Sequence, residues 1–227
     1  MKNLFLLLTG LTLLTACGPS KYITKDYKEH SIDHRTIAVL PFANHYTGRT
    51  PVDLTAQDLL TLRVEESKLF QTSLYHQLLD ESGIDDDQVQ ISIQDVDITN
   101  AKLEQNGIPI EESWTYDPIE LAAILGVDAL VKVKMVKNQF LSRQESAIVD
   151  VATSVIRPRL PGVFLGNSRL SRASKIELNA RLIDGIEGVS LWAVDRRCDI
   201  DWRTDPDDAI RSLNNTISKK FPYRRDL

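Results

Sequence analysis

The apolar positions of this chain fall into blocks of different period, and each block predicts an element. The first block runs from Leu4 to Leu14 behind Lys2 and ends at the small residues Thr15 and Ala16. It is too short to span a bilayer as a permanent helix and has the build of a secretory signal peptide over residues 1–16. Residues 17–34 are polar, lack periodicity and carry Pro19, a pattern that predicts a flexible tether. Arg35 to Phe42 is a compact β-rich apolar run with a proline near its end, as in a buried strand entering a loop. After a loop over residues 43–55, Thr55 and Asp58 form a capping pattern that opens a long helix to about Ser82. Leu59, Leu62, Phe70, Leu74 and Leu78 recur at helical spacing, so one face can pack on a sheet, although Glu66 interrupts it.

Further along, Val89 to Ile98 alternates with one phase slip, which predicts a half-buried strand, and Thr99 is placed to cap a short helix through Gln105. Asp117, Pro118 and Glu120 give a cap, a proline at the first helical position and a capping-box acid, and Gly126 stops the helix after Leu125. Val127 to Val136 reads as a strand, with Ala129, Val131, Val133 and Met135 on one side and Lys132 and Lys134 on the other. Ala147 to Ile156 fits a helix face and a strand about equally and is taken as helix. Lys175 to Ile183 and Val189 to Val194 alternate on either side of Asp184–Gly188, which predicts an antiparallel hairpin. Asp205 and Pro206 then start a terminal amphipathic helix carrying Ile210, Leu213, Ile217 and Phe221. The expected class is α/β (α+β): a mixed sheet with helices packed on it, one domain over residues 35–227.

Composition narrows the function classes. A chain of 227 residues with 42% hydrophobic and 26% charged side chains is neither disordered nor a multi-span membrane protein. Its net charge of −5, with basic residues scattered apart from a short tail, excludes a general attraction for nucleic acid. The two cysteines, Cys17 and Cys198, make neither a disulfide framework nor a CxxC motif. Cys198 has no placed base and reads as a small, partly buried side chain.

Candidate chemistry is sparse. His30 and His34 fall in the tether, His45 in a loop and His76 on a helix, none at a ligand spacing such as HExxH. Asp85 to Asp87 lack the glycine and ligand order of an EF-hand and read as a charged turn. Asp199 and Asp201, close to Arg196, Arg197 and Arg203, read as an exposed charge network. With no GxSxG or P-loop, the expectation is a protein that is not an enzyme and holds no metal or cofactor.

Leu14-Thr15-Ala16-Cys17 resembles the bacterial lipobox. The resemblance implies cleavage before Cys17, a diacylglycerol on its sulfur and an acyl chain such as palmitate on the new amino end. Several chains on one residue make a stable anchor where one is marginal. Gly18 follows the cysteine in place of the aspartate that enterobacterial lipoproteins associate with inner-membrane retention, and residues 21–25 lack the acidic cluster of surface-export signals. By that resemblance the anchor is in the outer membrane and the domain faces the periplasm.

The strand ending in IAVLPF, the long helix, the unit DPIELAAILGVDALVKVKM and the hairpin ending DGIEGVSLWAV together resemble a superfamily of periplasmic lipoproteins. It includes the curli-assembly component, the amino-terminal domain of TolB and the lipoprotein activators of peptidoglycan synthases. The likeness covers residues 35–220 and implies a TolB-like fold and a non-enzymatic role in envelope assembly, transport or partner activation. Envelope proteins, or further copies of the chain, are the implied partners. Trp114, Tyr116, Arg157 and Phe164 are the candidate contact residues. Two other readings stand beside this one: an oligomeric outer-membrane secretion-channel component and an envelope hydrolase. Against the first, the segment that would form a transmembrane hairpin carries Arg143, Glu145, Asp150, Arg157, Arg159, Arg169 and Arg172; against the second, no nucleophile and base are paired.

Overall fold

The computed structural model describes residues 20–47, 55–139, 174–200 and 206–224. In chain order these form β1 (Ser20–Ile23), α1 (Tyr27–Ser31), β2 (Thr36–Val39), β3 (Ala43–Thr47), α2 (Ala56–Asp80), β4 (Ser92–Gln94) and α3 (Val96–Gln105). There follow α4 (Ile110–Ser113), α5 (Pro118–Leu125), β5 (Ala129–Gln139), β6 (Ser174–Asp184), β7 (Ser190–Ile200) and α6 (Pro206–Lys219). The seven strands make one mixed sheet in the order β1-β7-β6-β5-β2-β4, with β3 also paired to β5. β2 runs parallel to β4 and β5, whereas β5, β6, β7 and β1 are successively antiparallel. The class is therefore the expected α+β fold with helices packed on a mixed sheet.

Local signals explain most of the elements. Thr55 Oγ1 accepts from Asp58 N at 3.1 Å while Asp58 Oδ2 accepts from Thr55 N at 3.0 Å, closing the predicted capping box of α2. Asp117 Oδ1 accepts from the amides of Ile119 and Glu120, and Gly126 ends α5 in the left-handed region at φ 63°. One sheet face carries Val131, Val133, Met135, Leu178, Leu182, Trp192 and Val194 and is covered by Phe70, Leu74 and Leu78 of α2 and Ile210, Leu213 and Ile217 of α6. On the other face a smaller cluster of Leu40, Leu103, Ile108, Leu121, Leu125 and Leu130 seats α3 and α5.

Four expectations are corrected. Residues 20–34 are not a tether: Ser20–Ile23 pairs with β7, Tyr27 is buried in the main core, and the domain begins at least fifteen positions earlier than residue 35. The strand is short, on the sheet edge, carries Lys21 and is followed by Lys25, so it has no apolar period to read. Residues 43–47 form β3 instead of loop, because the far half of the eleven-residue β5 offers a free edge beyond β2. The strand expected over residues 89–98 is confined to Ser92–Gln94. Asp95 caps α3 by accepting from Asp97 N at 2.8 Å, so Val96 and Ile98 belong to the helix and Thr99 lies buried inside it. The fourth concerns His34, described below. The helix expected over residues 147–156 lies outside the described residues.

The incorporation of residues 20–34 has a direct test. The Tyr27 hydroxyl accepts from Tyr223 N at 2.9 Å, tying α1 to the segment after α6, and burial pushes its pKa up to about 12. Tyr27→Phe is expected to lower unfolding stability by about 1 kcal/mol in urea titrations, whereas in a solvated tether the change would be silent.

Candidate partner-binding face

Strand alternation sends half of the side chains of β5, β6 and β7 away from the main core. At the end of the sheet near β2, α3 and α5 cover that second face. Over the rest, no described helix lies on it, and Lys134, Arg181, Asp195 and Arg197 are exposed. The pairing registers place Ser20, Asp195, Asn179, Lys134 and Ala43 in one lateral row across five strands. Polar residues sit on this face where no described element packs on it.

Part of the face satisfies itself. Asn179 Nδ2 donates to Asp195, Arg181 Nε donates to Asn179 Oδ1 at 2.9 Å, and Arg197 pairs with Glu177 at 3.2 Å. The Arg197–Glu177 pair is well exposed and contributes little to stability.

Beside this network lies a groove of about 530 Å³, walled by Trp114 and Thr115 and floored by Leu40, Ala43, Val133 and Ile183. Four basic side chains, His45, Lys132, Lys134 and Arg181, line it, and no carboxylate does. Lys132 is half-buried, donates to the Tyr116 carbonyl at 3.3 Å, and has its pKa lowered by burial against the opposing pull of Asp117. Burial, then the charges of Lys134 and Arg63, lower the pKa of His45. Arg63 stacks over the Trp114 ring at 5.2 Å and donates from Nε to the Asn44 carbonyl at 3.1 Å, fixing the indole as a wall.

Two buried polar clusters lie away from the face. Glu66 of α2, the apparent break in the helix stripe, is 1% exposed and accepts from Lys137, Tyr46 and Asn44. Burial, then the Glu66 charge and hydrogen bond, raise the Tyr46 hydroxyl well above its ordinary range. His34 is buried rather than solvated: Nε2 bonds Asp184 Oδ1 at 2.9 Å and Nδ1 bonds the Tyr223 hydroxyl at 2.7 Å. A carboxylate can only accept, so Nε2 donates to Asp184, while Nδ1 pairs with the Tyr223 hydroxyl, which can donate or accept. Both ring nitrogens are engaged within the fold, and the trio ties the start of β2, the β6–β7 hairpin and the C-terminal segment together. Asp184 also accepts from Ile186 N at 2.9 Å and Glu187 N at 2.5 Å, which shapes the hairpin turn. Gly185 in that turn has its N–H on the Asp128 carbonyl at 2.8 Å, and a Cβ there would fall 2.7 Å from that same oxygen.

Of the contact residues named from sequence, Trp114 lines the groove, while Tyr116 packs against the second core and contributes its carbonyl to Lys132. Cys17, Arg157 and Phe164 lie outside the described residues. Sequence reading missed His45, Lys132, Lys134 and Arg181 as one cluster. The available signal was the Lys132 and Lys134 alternation, which marks an outward face without saying what lies beside it. Among the described residues no helix is long and apolar enough to cross a membrane, and no three His, Cys, Asp or Glu side chains are grouped to hold a metal ion.

No protein-family model matches the sequence. No curated protein matches it either. Solved structures do align with the fold. The crystal structure of lipoprotein GNA1162 from Neisseria meningitidis is 14% identical, with a TM-score of 0.46 over 81% of this chain and 94% of its own. The PelC dodecamer from Paraburkholderia phytofirmans is 10% identical, with a TM-score of 0.41 over 89% of this chain and 96% of its own. The LpoB C-terminal domain from Salmonella enterica is 10% identical, with a TM-score of 0.35 over 74% of this chain and 83% of its own.

Proposed function

We propose that this chain is a non-enzymatic, lipid-anchored lipoprotein of the bacterial envelope. Its domain binds another envelope protein through the open face of the sheet, to assemble, scaffold or activate it. The observation that carries this reading is a sheet covered by helices on one side and, on the other, carrying no described helix over β5, β6 and β7, where the surface is polar and bears a groove. A solvated sheet face with an aromatic wall and fixed charges is the anatomy of a recognition surface. The groove combines an indole with cations, a make-up suited to recognition of a partner.

Cys17 supplies the anchor in this proposal, through the diacylglycerol and acyl chains of the outer membrane's periplasmic leaflet. Because Ser20 already belongs to the sheet, the link from Cys17 spans three residues and reaches ~10 Å at most. The domain is therefore held against the bilayer rather than on a long tether, and the open face, whose lateral row begins at Ser20, meets partners that are themselves close to the membrane. The test is crosslinking and mass spectrometry of the lipidated protein in native membranes beside a Cys17→Ser control. A defined envelope protein joined at β5, β6 or β7, and lost when the anchor is lost, is the expected result. Recovery of contacts only between copies of the chain would favour a homo-oligomer, and turnover of peptidoglycan or esters by the purified protein would overturn the non-enzymatic reading.

A further inference from the structure

The groove beside Trp114 has a charge arrangement that works against the fold. Lys132 of β5 and Arg181 of β6 are direct cross-strand partners on the same face. Like charges placed opposite each other on a sheet destabilise it. Lys134 follows two residues on, so three cationic side chains face one cavity with no carboxylate in its lining, and the imidazole of His45 joins them from the neighbouring strand. Within the groove neither hydrogen bond neutralises the pair, since Lys132 donates to a carbonyl and Arg181 to an amide oxygen; the Asp117 carboxylate pulls on Lys132 from outside the groove lining. An anionic ligand would turn this repulsion into attraction.

The shape selects among anions. Lys132 is recessed and half-buried, out of reach of a flat headgroup surface, but open to a chain laid into the groove. Lys132 and Lys134 occupy alternate positions of one strand and are about 6.6 Å apart along it, the spacing at which an extended peptide presents every second side chain. Resting on the partner-binding reading above, we infer that the groove takes an extended acidic segment of the partner protein, with carboxylates at alternate positions meeting Lys132 and Lys134. Arg181 flanks the second strand's side of that segment, and Trp114 packs on the side chain between the two acids.

The probe is a fluorescein-labelled nine-residue peptide alternating Glu and Thr, titrated by fluorescence anisotropy into the full-length lipidated protein in neutral detergent. Binding that weakens with salt, and that falls by about tenfold or more in Lys134→Gln/Arg181→Gln, is the expected result. Both side chains are exposed, and a urea midpoint in the double variant no lower than that of wild type shows that the loss is not one of folding. A peptide of the same composition with its glutamates in one block is expected to bind several-fold more weakly. Equal affinity for the two peptides, or equal binding by wild type and double variant, would overturn the inference. So would binding of phosphatidylglycerol vesicles that depends on Lys134 and Arg181 while the peptide fails to bind. If a partner crosslinks through the open face but no acidic peptide binds, this inference falls and the binding-module reading stands; if no partner crosslinks, that reading falls by itself.

Discussion

Glu66→Ala is expected to destabilise the domain by about 3–5 kcal/mol, the range found when one partner of a buried ion pair is removed. Glu66 and Lys137 are 1% and 4% exposed, and the Lys137 ammonium lies over the rings of Phe70 and Tyr46, so almost no water can replace the lost carboxylate. Tyr46 and Asn44 lose their acceptor in the same step. The expected rescue is Glu66→Leu combined with Lys137→Met, which removes both charges and fills the site with apolar volume. The pair of changes should return part of the stability, because well-packed hydrophobic replacements of buried ion pairs are often neutral or better, while Tyr46 and Asn44 stay without their acceptor. Urea unfolding of the single and double variants checks both statements. A single variant within about 1 kcal/mol of wild type would mean that the ion pair is solvated in solution.

Asp184→Ala is the second large effect, about 3–4 kcal/mol at neutral pH, since the carboxylate accepts from His34 and from the amides of Ile186 and Glu187 while itself 2% exposed. Its pH dependence follows from direction alone. Burial pushes the carboxyl up, but the Glu187 amide, the His34 ring and the Ile186 amide together outweigh it and leave the folded pKa below the ordinary range. A depressed folded pKa gives stability that is fully present above the unfolded value, about 3.9, and is lost as pH falls through the folded value. The gap between wild type and Asp184→Ala should therefore be widest near neutrality and shrink below about pH 4. Unfolding midpoints across that range are the check, and a gap that widens on acidification would contradict the assignment.

The sequence made the regular parts of this fold legible where a cap or a period was strong. Thr55 with Asp58, Asp117 with Pro118, Gly126, and the alternation of the β6–β7 hairpin all mark elements that formed where expected. What escaped depended on partners remote in sequence. β1 and β3 exist because β7 and β5 offer them edges, and four or five residues cannot display a period of their own. Glu66 looked like a flaw in a helix stripe because its partner, Lys137, comes 71 residues later. His34 looked solvated because Asp184 and Tyr223 are 150 and 189 residues away. For the candidate face, the outward set of β5 was readable from Lys132 and Lys134. That His45 and Arg181 join them, and that Trp114 walls the groove, follows from strand order, which no local pattern encodes.

The open face is the central claim, and site-specific photocrosslinking reads it most directly. A photoreactive residue placed in turn at Lys134, Asn179 and Arg197 would probe the open face in living cells, and one at Asp80, Arg211 and Asn215 the helix-covered side. The account predicts that the first set forms adducts with the same envelope protein and that the second set does not. Adducts formed from the helical side, with none from β5, β6 or β7, would contradict it.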